Sequence, residues 1–271
     1  MKTEKPTPDQ RHDNVALCWE HEGLKPQAQA LADRYGFQCA GGNRSQPHFF
    51  LTLTEKRLEL RPNTALLPQL SSMGSIFTDF VNGPYGFRRS HSHGRNELVI
   101  RAAGPVTHAK HRTLFDATAG LGRDGFLLAA HGWQVTMVER SAVTAALLAD
   151  GLQRALVSPA TKKIAQRITC IHADSVTLLS GLAPPDFPDV IYLDPMFPER
   201  TKKALVKKEM RILQLLLGPD MDADLLFHIA CRRANQRVVV KRSKAAPCLA
   251  QKEPHRSIAG RSHRFDIYLR P

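Results

Sequence analysis

Thr113-Leu-Phe-Asp-Ala-Thr-Ala-Gly-Leu-Gly-Arg-Asp-Gly125 decides the fold. A short apolar run ends in a carboxylate, Asp116, and a glycine turn leads into the helical stretch Phe126-Leu-Leu-Ala-Ala130. Gly132 ends that helix, and Gln134-Val-Thr-Met-Val-Glu139 reads as the next strand. Ser141 is placed to cap a helix over 142–156, because its hydroxyl can accept from the unpaired N–H groups of a first turn. Strands at Arg167–His172, Asp189–Asp194 and Arg237–Lys241 follow, with a helix over about 202–217, and Arg264–Leu269 closes the chain as an edge strand. Unbroken apolar strands alternating with helices predict an α/β fold. Its sheet is expected to be parallel and covered on both faces.

Upstream of this domain, which we bound at 97–271, the signals change. Residues 1–13 are polar, carry Pro6 and Pro8, and read as a flexible tail. Residues 14–70 read as a small α+β domain. Gln27–Tyr35 has a helical face of Ala28, Leu31, Ala32 and Tyr35, and Phe49–Thr54 and Arg57–Arg61 read as two strands around Glu55-Lys56. The stretch 71–96 is rich in Gly, Ser and His and reads as an ordered connecting segment, since long ordered loops usually serve a function.

The chain has 271 residues, of which 42% are hydrophobic, with 38 Lys+Arg against 25 Asp+Glu and a formal charge of +13. Residues 1–100 hold 12 basic and 10 acidic side chains, whereas residues 101–271 hold 26 and 15. The excess on the C-terminal part points to an acidic partner, most commonly nucleic acid. No apolar run approaches the ~20 residues of a membrane span. The five scattered cysteines form no Cys-x-x-Cys pair, so the chain reads as cytoplasmic, without a disulfide framework. Metal binding is not expected: His91-Ser-His93, the densest histidine cluster, lacks helical spacing and a carboxylate pair.

Chemistry concentrates at the predicted strand ends. Gly120 and Gly122 let the backbone turn sharply and approach a ligand, and the following helix offers unpaired N–H groups. Glu139 closes the next strand 17 residues after Gly122, where a carboxylate can accept from two ribose hydroxyls. Asp174, past the third strand, can reach an adenine amine. Asp116, Glu139 and Asp174 thus line one rim, where open α/β sheets bind ligands. Two nucleoside cofactors suit that rim. A dinucleotide would set its pyrophosphate against Asp124, which repels it. S-adenosylmethionine would bring an ammonium and a sulfonium, which Asp116 and Asp124 attract.

A second site follows the fourth strand, at Tyr192-Leu-Asp194-Pro195-Met196-Phe197-Pro198. An Asp/Asn-Pro-Pro-Phe/Tyr signature there goes with methylation of exocyclic amines, and Met196 stands where the second proline would be. Such an amine is a poor nucleophile because its lone pair is delocalised. Hydrogen bonds to the Asp194 carboxylate and the Pro195 carbonyl turn that pair toward a methyl donor, and Phe197 can stack on a flipped-out base. Arg200, Lys202, Lys203, Lys207, Lys208 and Arg211 crowd the next segment. Lys203, Lys207 and Arg211 share one helical row beside an apolar stripe of Val206, Met210, Leu213 and Leu217. Together with Lys241 and Arg242, which end a strand on the same rim, these basic residues are candidates for phosphate contact. A nicotinamide-dependent oxidoreductase would use the first turn alone. A non-catalytic RNA-binding protein on the same scaffold would use only the basic face.

Phe115-Asp-Ala-Thr-Ala-Gly-Leu-Gly-Arg-Asp124, Tyr192-Leu-Asp-Pro-Met-Phe-Pro198, Ala204-Leu-Val-Lys-Lys-Glu-Met210, Val238-Val-Val-Lys-Arg242 and His263-Arg-Phe-Asp-Ile-Tyr268 resemble the ribosomal RNA small subunit methyltransferase J family. Asp79-Phe-Val and Arg88-Arg89 fit the same pattern, so the resemblance is strong over roughly residues 70–270. It implies a class I S-adenosylmethionine-dependent methyltransferase, with a Rossmann-like, mostly parallel seven-stranded sheet, that modifies the N2 amine of one guanosine in 16S ribosomal RNA. By motif, cofactor contacts fall on Arg123-Asp124, Glu139-Arg140, Asp174-Ser175 and Asp194, and Arg88 and Arg89 join the RNA-facing residues.

Overall fold

The computed structural model describes residues 14–40, 46–82, 97–106, 112–196 and 208–270, without the side chains of 208–210. The expected tail 1–13, most of the connecting segment, and Arg88, Arg89, Phe197, Lys202, Lys203 and Lys207 lie outside the described residues. The chain divides into two compact units, Met1–Thr78 with Pro198–Pro219, and Asp79–Phe197 with Asp220–Pro271.

The first unit holds a four-stranded sheet in the order β2-β1-β3-β4. Its strands are β1 (Val15–Trp19), β2 (Gln38–Cys39), β3 (Phe49–Leu53) and β4 (Leu58–Pro62). β3 and β4 form the expected antiparallel pair, with Leu51 opposite Leu60, while β1 runs parallel to both β2 and β3. Helix α1 (Lys25–Tyr35) buries Ala28, Ala32 and Tyr35 and ends at Gly36, whose φ of 73° suits a residue without Cβ.

The second unit carries a seven-stranded sheet made of β5 (Thr113–Asp116), β6 (Gln134–Glu139), β7 (Ile168–His172), β8 (Val190–Leu193), β9 (Arg237–Ser243), β10 (Arg256–Ala259) and β11 (His263–Leu269), in the order β10-β11-β9-β8-β5-β6-β7. β5 to β9 are mutually parallel, and β10 and β11 run antiparallel. The expected edge strand is therefore corrected. β11 sits between β9 and β10, and the short, charged β10 forms the edge. Ser257 and Arg264 both bond the fully buried Asp266 carboxylate, at 2.6 and 2.9 Å, fixing that pairing.

Strand residues alternate cleanly between two cores. Leu114, Val135, Met137, Tyr192 and Val239 join Phe126, Trp133 and Leu148 on one face. Phe115, Val138, Ile191, Leu193, Val238 and Val240 join Phe227 and Tyr268 on the other. Each such side chain, fully buried, contributes roughly 1.5–3 kcal/mol. Strand order reverses between β5 and β8, so their carboxyl ends flank the crevice where open sheets of this kind bind ligands. Among the described residues, no helix is long and apolar enough to cross a membrane.

Candidate functional site: the carboxyl rim of the parallel sheet

Asp116 is the last residue of β5 and 2% exposed, and its Oδ1 accepts from the Thr118 N–H at 3.3 Å. Burial, reinforced by the Asp124 charge, raises its pKa well above the usual carboxylate range. The glycine turn follows, with Gly120 at φ 54° and Gly122 at φ 72°. A Cβ on Gly122 would stand 2.5 Å from Leu148 Cδ1, and one on Gly125 would stand 2.9 Å from Asp116 Oδ2. Gly122 and Gly125 are thus required by packing, whereas a Cβ on Gly120 would meet nothing closer than 4.0 Å. Helix α2 (Arg123–Ala130) begins with the expected Arg123 and Asp124.

Glu139 ends β6, with Oε2 accepting from the Gly120 N–H and Oε1 from the Ser141 N–H, both at 2.8 Å. Burial raises its pKa, against those two bonds. The Ser141 hydroxyl caps helix α3 (Ala142–Val157) as expected, through the Thr144 N–H at 3.4 Å. Past β7, Asp174 caps helix α4 (Ser175–Gly181), with Oδ1 accepting from the Thr177 N–H and hydroxyl, both at 2.8 Å. Ser175 is buried and donates to the Ala117 carbonyl at 2.7 Å, tying this helix to the first turn.

Across the crevice, Asp194 follows β8. Its N–H donates to Thr118 Oγ1 at 2.6 Å, and its Oδ2 accepts from Lys241 Nζ at 2.7 Å. The same ammonium donates to Asp124 Oδ2 at 2.8 Å, which also accepts from the Tyr192 hydroxyl at 2.6 Å. Burial works to raise the Asp124 pKa, but the Lys241 charge and the hydrogen bonds from Lys241 and Tyr192 together hold that carboxyl below its ordinary value. Asp194 ends above its ordinary value through burial, with Asp124 repulsion adding to it and Lys241 opposing it. Pro195 is buried beside it.

Three expectations are corrected here. Lys241, expected at a phosphate, is turned onto carboxylates, with two of its three donors taken by Asp124 and Asp194. Arg242 is 5% exposed and donates from Nε and Nη2 to the Pro247 carbonyl, at 3.0 and 2.6 Å, so it is an internal brace. The Arg140 guanidinium, expected at the cofactor, is engaged within the protein, gripping Asp222 at 2.9 Å and Asp220. Helix α5 (Lys208–Leu217) keeps Arg211 exposed and buries Ile212, Leu213 and Leu216; of the expected stripe Leu213 is buried and Leu217 half-buried, and Val206 and the Met210 side chain lie outside the described residues.

Sequence reading missed Thr118, Tyr192 and Asp220, and it misjudged Lys241. Each acts through a partner far along the chain, from 24 residues for Asp220 with Met196 to 117 for Lys241 with Asp124. Only the polar Tyr192, at the end of an apolar strand, gives a local hint. The rim gathers Asp116, Asp124, Glu139 and Asp194, with Lys241 between Asp124 and Asp194, a set of carboxylates suited to a cationic ligand. Among the described residues, no group of three or more His, Cys, Asp or Glu is placed to hold a metal ion.

Comparison with known proteins identifies the family. The family described as "Putative SAM-dependent methyltransferase" matches residues 30–270. A crystal structure of a SAM-dependent methyltransferase from Neisseria gonorrhoeae superimposes with a TM-score of 0.71 at 30% identity, covering 94% of this chain and 95% of that one. Ribosomal RNA small subunit methyltransferase J from Aeromonas hydrophila is 46% identical over 256 residues, 94% of this chain and 98% of the relative. The protein of the same name from Pectobacterium atrosepticum is 48% identical over 262 residues, 94% of this chain and 99% of the relative. With nearly half its residues shared over almost the full length of both chains, the protein belongs to the ribosomal RNA small subunit methyltransferase J family of S-adenosylmethionine-dependent methyltransferases.

Proposed function

We propose that the protein transfers the methyl group of S-adenosylmethionine to the exocyclic N2 amine of a guanosine in the 16S ribosomal RNA of the small subunit. The observation that carries this reading is the Asp194 carboxylate, held at the β8 exit by Lys241 on one oxygen, beside a rim of further carboxylates. Names of near-full-length relatives support the RNA class, and the Asp-Pro-Met-Phe motif supports an exocyclic amine as acceptor.

The rim residues fit the cofactor. Glu139 accepts one backbone N–H on each oxygen, which leaves a lone pair on each for a ribose hydroxyl. The open space beside Gly120 allows close approach to the backbone. Asp116, Asp124 and Asp194 give the sulfonium and ammonium end a negative surround. Asp174 uses one oxygen as a helix cap and keeps the other for the adenine amine. Arg123, Arg140 and Ser175 support these groups, the latter two by bracing neighbouring segments. When bound, S-adenosylmethionine supplies an electrophilic methyl group.

The chain's own residues do the rest. Asp194 Oδ2 is engaged by Lys241, so Oδ1 is the oxygen that accepts the guanine amine N–H. The Pro195 carbonyl takes the second amine hydrogen, and the lone pair is freed from the ring. The raised Asp194 pKa suits Oδ1 to take the proton that leaves as the new N–C bond forms. Phe197 stacks on the base, and Arg88, Arg89, Lys202, Lys203, Lys207, Lys208 and Arg211 contact phosphates. Catalysis is then mostly positioning and electrostatics.

The test uses S-adenosylmethionine with a tritiated methyl group, incubated with the protein and either 30S subunits or free 16S RNA from cells lacking the modification. Digestion is expected to place the label in N2-methylguanosine, and the better substrate identifies the assembly stage. Label in another nucleoside, or none in RNA, overturns the proposal.

A further inference from the structure

We propose that Asp220 is a positioning residue for the methyl-transfer loop, clamping Met196 and through it Asp194 and Pro195. This rests on the acceptor reading given above. The chain leaves the sheet-bearing unit after Phe197 and re-enters it at Asp220. At that neck two bonds run in opposite directions. The Met196 N–H donates to Asp220 Oδ2 at 2.6 Å, and the Asp220 N–H donates to the Met196 carbonyl at 2.8 Å. The remaining Asp220 oxygen, Oδ1, accepts from Arg140, whose other amino group holds Asp222. Arg140 directly follows Glu139, so the brace runs from the cofactor rim to the acceptor loop.

The identity of residue 196 gives this clamp its purpose. A second proline there would fix φ covalently and carry no N–H. Methionine leaves φ soft and adds a backbone donor that must find a partner. Asp220 answers both needs: its carboxylate satisfies the donor, and its backbone ties the same residue from the other side. A loop that must hold an amine for in-line transfer needs such stiffness, because small displacements of the reacting groups cost rate steeply.

Asp220→Ala and Asp220→Asn, in the full-length protein, test the assignment by two readouts. The first is hydrogen exchange at the peptide containing Met196. Asp220→Ala is expected to speed exchange there by about tenfold or more, while Asp220→Asn, whose side-chain carbonyl still accepts from the Met196 N–H, stays near wild type. The second is single-turnover transfer to RNA. Asp220→Ala is expected to lower the rate between about tenfold and about a hundredfold, with S-adenosylmethionine affinity and KM for RNA within about threefold of wild type and most of the rate recovered in Asp220→Asn. Unchanged exchange, or lost protection with an unchanged rate, overturns the proposal. An Asp220→Asn variant as slow as Asp220→Ala also overturns it, by assigning the effect to the charge on Arg140. If the wild-type protein labels no guanosine, the acceptor reading fails by itself, and the exchange comparison still decides whether Asp220 holds Met196.

Discussion

The two sides of the crevice hold their carboxylates by different means. On the β5–β6 side, Asp116 and Glu139 are gripped by the backbone N–H groups of Thr118, Gly120 and Ser141, all within 19 residues. Asp194 past β8 and Asp124 at the start of α2, which share one ammonium, are gripped instead by side chains, Lys241 and Tyr192, from 47 to 117 residues away. A grip made by backbone amides comes with the turn itself and cannot be removed by changing one side chain. A grip made by an ammonium depends on one residue. The first arrangement suits a cofactor pocket of fixed shape, and the second suits a carboxylate whose basicity must be set.

The comparison breaks most sharply at Asp194. Asp194→Ala is expected to slow methyl transfer by at least about a hundredfold, while calorimetry still detects S-adenosylmethionine and the thermal melt is retained. Near-wild-type turnover would remove the amine contact. Lys241→Met comes next, leaving Asp124 and Asp194 repelling each other without a counter-charge. Urea denaturation is expected to show a loss of about 2 kcal/mol, the groups being partly solvated. Asp124, with its pKa held down, stabilises the fold above about pH 4 and loses that contribution as pH falls through its folded value. The variant should lose this part of the acid dependence.

The glycines sharpen the contrast on the cofactor side. Gly122→Ala combines φ 72° with a 2.5 Å approach to Leu148, and roughly 2 kcal/mol of stability should be lost. Gly120→Ala, with open space around it, should cost about 1 kcal/mol and weaken cofactor affinity disproportionately. Parallel denaturation and calorimetry separate the two, and equal effects on both measures would remove the distinction.

The smallest expected effect is in protons. Asp116 binds its proton more tightly folded than unfolded, so its contribution to stability is full below about pH 4 and is lost as pH rises through the raised folded value. A cation on the rim favours the ionised form. Cofactor binding should therefore release a fraction of a proton, visible as binding heats that differ between buffers of different ionisation enthalpy. Equal heats would show that Asp116 does not sense the ligand.

The legibility of these features follows the same division. The turn at Gly120 and Gly122, the carboxylates closing β5 and β6 and the Ser141 cap are all stated by neighbouring residues, and the structure has them in place. Lys241 and Arg242 look alike on paper, as two cations ending an apolar strand. Strand alternation sends them to opposite faces, one into the carboxylates and one onto the Pro247 carbonyl. Arg140 was similarly drawn away by Asp220 and Asp222, 80 and 82 residues on.

By itself, the sequence determined the parallel α/β sheet, the carboxylates at its strand ends and the family motifs. These rest on periodicity, turn chemistry and capping, which act between residues close along the chain. Tertiary structure alone decided which cation neutralises which carboxylate, that β11 is inserted between β9 and β10, and that Asp220 closes on Met196. Those outcomes depend on which side chains the crossovers bring within hydrogen-bonding distance, and long-range pairing of that kind leaves no local trace in composition or spacing.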